Sequence, residues 1–188
     1  MTSGLRLRDI IDELPTNGSP ERRDPGAIDT IALHCTGVPG WNVWDVARYH
    51  TGPNHISLDG CPTICYAYFI EPDGLIYRCL PLDVRSWHAG PWNDRAVGVC
   101  MASGGIAAIP PVQLTAAAEL CARLAAELSL PAERVLGHRE LEGSGYVVEG
   151  GEIVTRKQCP GAEIDMDAFR AAVGHALARP GGSLVKEA

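Results

Sequence analysis

Short apolar runs separated by turn residues dominate the first half of this chain. Ile28, Ile31, Ala32 and Leu33 lead into His34 and Cys35, and comparable runs recur at 64–71, 75–80 and 96–102. Runs of this length, rich in β-branched and aromatic residues and bounded by Gly, Pro, Asn or Asp, read as strands. Pro72-Asp73-Gly74 supplies turn chemistry between the second and third, so these two form an antiparallel hairpin. Helical spacing appears elsewhere. Leu5, Leu7, Ile10, Ile11 and Leu14 predict a short amphipathic helix over 4–14, and the Pro-, Gly- and Ser-rich stretch through Gly26 predicts a linker. A helix over 42–49 follows the first strand, and 53–62 reads as a loop bordering a cleft. Ala118, Cys121, Ala122, Ala125 and Leu128 share one face of a helix that Thr115 would cap, with Pro131 beyond its end. A short strand over 134–136, a helix over 164–177 and a Gly-rich tail complete the pattern.

This alternation predicts an α/β protein, a mixed central β-sheet flanked by helices in a single domain. Residues 1–26 form an N-terminal helix and linker arm, 27–180 the domain and 181–188 a flexible tail. A chain of 188 residues with 46% apolar content can bury one substantial core. It contains no run of about 18 uncharged apolar residues, so no membrane-spanning helix is expected. The first residues lack the apolar stretch of a signal peptide, which predicts cytoplasmic synthesis. Net charge is −7 without a Lys/Arg cluster, and this argues against a nucleic-acid partner. Nothing in the pattern calls for an oligomer, and a monomer is expected. Seven cysteines, an odd number, argue against a full disulfide framework. Cys61 and Cys65 allow a local bridge or a second metal pair, although a loop cysteine beside a core cysteine is the simpler reading.

Candidate chemistry concentrates late in the chain. His138, in Gly-His-Arg-Glu, is followed by Lys157-Gln158-Cys159-Pro160, which provides two borderline-soft ligands and a cation. His34, ending a buried strand, can present a third ligand at a sheet's rim. Two imidazoles and one thiolate make an open zinc site, since catalytic zinc usually takes three protein ligands and keeps a fourth position free. Residues two apart share a face of an extended segment, so Lys157 projects beside Cys159, while Cys35 should point away from whatever His34 faces, as a core thiol. Each residue also has an ordinary reading: a strand-end histidine, a buried thiol, a solvated lysine. Trp87 and His88 offer a flat apolar surface and a hydrogen bond for a substrate. Glu140 stands near His138, but its direction is open and it is not assigned as a base. His50 and His55 are not expected to bind the same metal, and His175 is peripheral.

The ordered motifs His34-Cys35-Thr36, Tyr66-Ala67-Tyr68-Phe69-Ile70 with Asp73-Gly74, Trp87-His88-Ala89-Gly90, Asn93, Val97-Gly98-Val99, Gly137-His138-Arg139 and Lys157-x-Cys159-Pro160 span most of the chain. In this order they resemble the zinc-dependent N-acetylmuramoyl-L-alanine amidases, the family of phage T7 lysozyme, bacterial type 2 amidases and animal peptidoglycan recognition proteins. The resemblance implies an α/β amidase fold, Zn2+ bound by His34, His138 and Cys159, and catalytic assistance from Tyr66 and Lys157. It places Trp87, His88 and Asn93 at a peptidoglycan or muropeptide substrate, whose bond between N-acetylmuramic acid and L-alanine would be cut. A wall target would require delivery by a holin or by lysis, as for a phage or prophage endolysin. Segment 141–156 is longer than in compact members, and its glycines with Tyr146-Val147-Val148-Glu149 predict a hairpin flap beside the cleft. Three rivals stand beside this reading: a non-catalytic peptidoglycan-binding module, a cytoplasmic anhydro-muropeptide recycling amidase, and a thiol hydrolase using Cys159 with His138.

Overall fold

The computed structural model describes residues 4–53, 55–103, 108–179 and 184–186. In chain order the elements are β1 (Leu5–Asp9), β2 (Thr30–Cys35), α1 (Val43–Thr51), β3 (Tyr68–Ile70), β4 (Ile76–Arg78), β5 (Ala96–Met101), α2 (Pro111–Glu127), β6 (Val135–Gly137), β7 (Tyr146–Glu149), β8 (Glu152–Arg156), α3 (Met166–Leu177) and β9 (Leu184–Lys186). Seven strands form one mixed sheet in the order β6-β2-β5-β3-β4-β1-β9, and β7 and β8 form a separate hairpin. Only β3 and β4 pair antiparallel within the large sheet, as the Pro-Asp-Gly turn predicts. The expected α/β architecture holds.

Strand β2 is buried along its whole length. Its two faces differ. Ile31 and Leu33 join Val97, Val99 and the inner side of α2 in the main core, whereas Ala32 packs with Ala89, Ala96 and Leu141 in a smaller cluster. Large aliphatic residues on the helix-covered face and small ones on the other leave room on the second face for side chains that do chemistry. Helix α2 packs against α3 and the central strands. Asn42 caps α1, accepting from the amides of Trp44 and Asp45, and Asp165 caps α3, accepting from Asp167 and Ala168.

Three local expectations are corrected. The segment expected as a helix over 4–14 is strand β1 with one short 3-10 turn after it. Leu5 and Leu7 alternate with Arg6 and Arg8, a period of two that the helical count masks, and parallel pairing of Leu7 with Ile76 satisfies the backbone. In the tail expected to be flexible, 184–186 pairs in parallel with β1 at the edge of the sheet. Residues 181–183, 187 and 188 lie outside the described residues. Helix α2 begins at Pro111 rather than after Thr115, because proline at the first helical position needs no amide partner; Thr115 instead donates to Pro111 O at 2.9 Å.

The stretch read as a linker is anchored by a buried cation. Arg23 donates to the carbonyls of Leu82 (2.8 Å), Asn93 (3.0 Å) and Ala96 (2.5 Å). These three acceptors belong to loops and to the start of β5, so one guanidinium ties the arm to the sheet beneath the site. Arg23→Met should cost about 3 kcal/mol in a urea denaturation series, because several buried carbonyls lose their donor at once; Arg23→Lys should recover only part. A loss below about 1 kcal/mol for the methionine variant would contradict this anchoring.

Candidate metal centre and active site

Parallel strand pairing explains how two histidines far apart in sequence meet. Leu33 of β2 lies opposite Gly137 of β6, and the next residue of each strand is a histidine. His34 and His138 therefore leave neighbouring strands at the same rim, with ring centroids 4.6 Å apart. Cys159, in the loop between β8 and α3, reaches the same rim. Its Sγ lies 3.7 Å from His34 Nδ1 and accepts the Cys35 amide at 3.4 Å. One ligand atom from each of His34, His138 and Cys159 fits within 4.8 Å of the other two.

His34 is 1% exposed and held by a relay behind it. His34 Nε2 lies 2.9 Å from His88 Nδ1, and His88 Nε2 lies 3.1 Å from the carbonyl of Ala96. A carbonyl only accepts, so His88 carries its proton on Nε2. Burial holds His88 neutral, at a pKa of about 3, so its Nδ1 must accept from His34 Nε2–H. The lone pair of His34 is thereby left on Nδ1, the nitrogen facing Cys159. Burial, then His138 and His88, keeps His34 well below the usual imidazole range and hence neutral. Gly98 makes room for the relay: a Cβ there would sit 3.0 Å from His88 Cγ and Nδ1.

His138 is positioned from the flap side. Its Nε2 lies 2.9 Å from Ser144 Oγ and 3.3 Å from Lys157 Nζ, so the lysine sits beside the three candidate ligands. Burial, with Lys157 adding to it, lowers its pKa to about 4. The Lys157 amide donates to Gly145 O at 2.7 Å, and a Cβ on Gly145 would stand 1.8 Å from His138 O. Only glycine permits that contact, so the base of the flap is clamped onto the turn after β6. Arg139 joins this turn to the cysteine loop. Its amide donates to Cys159 O at 2.8 Å and its guanidinium to Gly161 O at 2.5 Å and to Ile164 O.

Tyr66, just before β3, stands with its ring 5.1 Å from that of His34. Burial raises its hydroxyl well above the usual phenol range, so it stays protonated. Tyr68, its rival by alternation, is 6% exposed in the core. Of the three expected substrate contacts, two are buried. His88 stands behind His34, and Asn93 Oδ1 accepts the amides of His88 (3.1 Å) and Ala89 (2.7 Å), fixing the loop that carries the relay. Trp87 is half-buried. Cys35 is buried as expected, but it does not point away from the site: it shares a hydrogen bond with Cys159, and this bond, followed by burial, pushes the Cys159 thiol up. Glu140 is occupied by Arg170 at 2.9 Å and by the Gly137 amide at 2.7 Å. His50 and His55 lie in a separate cluster, and His175 is exposed on α3. Arg139 and Ser144 went unassigned in the sequence; Gly143-Ser144-Gly145 was the available signal for the latter.

The donor set fits a soft or borderline divalent ion. Two neutral imidazoles and a thiol converge there, and a tetrahedral zinc with bonds of about 2.0–2.3 Å needs ligand atoms within the spacing seen here. Cation binding would also reverse the upward pressure on the Cys159 thiol.

The description of the family model that matches residues 24–162 is N-acetylmuramoyl-L-alanine amidase. Comparison with curated protein sequences gives no match. Among solved structures, the amidase LysC of Clostridium intestinale superposes with a TM-score of 0.67 at 18% identity, covering 88% of this chain and 95% of its own. Drosophila PGRP-LB gives a TM-score of 0.60 at 25% identity over 83% and 88%. The Ph2119 endolysin of a Thermus scotoductus bacteriophage gives 0.60 at 17% over 90% and 99%. With the model covering most of its length and the same architecture in these structures, the chain belongs to the N-acetylmuramoyl-L-alanine amidase family.

Proposed function

We propose that this peptidoglycan amidase cleaves the bond between the lactyl group of N-acetylmuramic acid and L-alanine with one zinc ion held by His34, His138 and Cys159. The observation that carries the reading is the convergence of those three ligand atoms within 4.8 Å, with the Lys157 ammonium 3.3 Å from His138. When bound, zinc supplies Lewis acidity, lowering the proton affinity of water and polarising a carbonyl.

The chain's own residues do the rest. His34 and His138 enter the site neutral and ligate without first losing a proton, and Cys159 gives up one. Two neutral ligands and one thiolate cancel only half the charge of a divalent ion, so its acidity survives. Lys157 faces the negative charge that develops on the scissile carbonyl oxygen. Tyr66, protonated throughout the neutral range, donates a hydrogen bond that orients the attacking water. Trp87 offers an apolar surface to the sugar or lactyl group, and His88 and Asn93 act behind it as positioning residues. The sulfur ligand favours catalysis over a purely binding role.

Stem-peptide release from purified sacculi should cease on chelation and return with added zinc. Lys157→Ala should keep its zinc but lose about 10²–10³-fold in turnover, the usual effect of removing one positioned donor. Normal wall hydrolysis by that variant would remove Lys157 from the mechanism. Gly98→Ala should displace His88 and weaken zinc binding at this centre by about 10–100-fold in a chelator competition. Unchanged affinity would show that the relay does not orient His34.

A further inference from the structure

A second cluster of soft ligands lies one layer behind Tyr66. His50, at the end of α1, is 6% exposed, Cys61 is 1% and Cys65 is 2% exposed, and His55 is half-buried. Ligand atoms of His50, His55 and Cys65 lie within 4.8 Å of one another, and Cys61 Sγ is 3.4 Å from Cys65 Sγ. The rings of His50 and His55 stack at 4.4 Å, and Cys65 Sγ is 4.0 Å from His55 Nε2. None of these residues has a part in the amidase mechanism.

Their spacing is informative. The chain reads His50-x4-His55-x5-Cys61-x3-Cys65, and both the histidine pair and the cysteine pair match the separations that tetrahedral zinc sites use. We propose that His50, His55, Cys61 and Cys65 form a second, structural zinc centre, closed by four ligands and separate from the rim site. The two sulfurs are already within a few tenths of an ångström of the separation of about 3.8 Å that two thiolates take on one zinc. One bond must be exchanged. The Cys65 amide donates to His50 Nδ1 at 3.0 Å, and either nitrogen of that ring ligates only when the amide turns to a thiolate sulfur.

The centre has a structural consequence for the active site. Tyr66 follows Cys65 directly, and its ring packs edge-on against His50 at 5.3 Å. A four-ligand clamp would fix the loop between α1 and β3 and, through it, the placement of Tyr66. This inference does not rest on the amidase reading, since it concerns other residues and is read by metal content.

The test counts zinc per chain in protein purified with reductant and zinc, then gel-filtered. The unaltered chain should hold two. His55→Ala, at the most exposed ligand, and Cys159→Ser should each hold one, and the double variant none. Cobalt loaded into Cys159→Ser should show a thiolate charge-transfer band that His55→Ala abolishes. One zinc in the unaltered chain, undiminished by His55→Ala, would overturn the proposal. So would a Cys61–Cys65 disulfide in protein prepared this way. Loss of amidase activity in Cys159→Ser with one zinc retained would leave this centre standing.

Discussion

The site depends on a short chain of hydrogen bonds that begins at a backbone carbonyl. Ala96 O can only accept, and that fact fixes the proton on His88 Nε2, then on His34 Nε2, and leaves the His34 lone pair on Nδ1 toward Cys159. The same carbonyl takes a bond from the buried Arg23, so the N-terminal arm, the start of β5 and the orientation of His34 share one anchor. Burial keeps every imidazole in the relay uncharged, as metal ligation requires. A ligand aimed in this way loses little freedom when the ion arrives.

On the opposite side, the segment 141–156 does more than extend the chain. Its base supplies Ser144 to His138 and a carbonyl to the Lys157 amide, while β7 and β8 form a sheet of their own. Val147, Val148, Ile153 and Val154 are all exposed on that hairpin. The two histidines are thus oriented by different means, His34 by a buried relay from the sheet and His138 by the flap. The backbone of Lys157 beside them is held by the base of the flap as well.

Much of this was legible in the order of residues. The apolar runs located β2 to β5, and Pro72-Asp73-Gly74 identified the antiparallel pair of the large sheet. His34, His138, Cys159 and Lys157 were legible because strand ends and a Pro-Gly turn put reactive side chains at a rim. The helix expected over 4–14 failed because a period of two in Leu5 and Leu7 also satisfies a loose helical count, and only the partner β4 decides between them. The role of His88 was hidden for a similar reason. A histidine beside a tryptophan reads as a surface contact, and nothing local discloses that the missing side chain of Gly98 lets it slip beneath His34. Cys35 escaped the alternation rule because β2 ends there and the cysteine loop folds back onto it.

The most direct test of the central claim is zinc-edge X-ray absorption on the His55→Ala protein, where only the rim centre is expected to load. The account predicts a four-coordinate ion with two imidazole nitrogens, one sulfur and one light atom, and loss of the sulfur in the added Cys159→Ser variant. A sulfur-free shell, or a fully active protein with no transition metal bound, would contradict it.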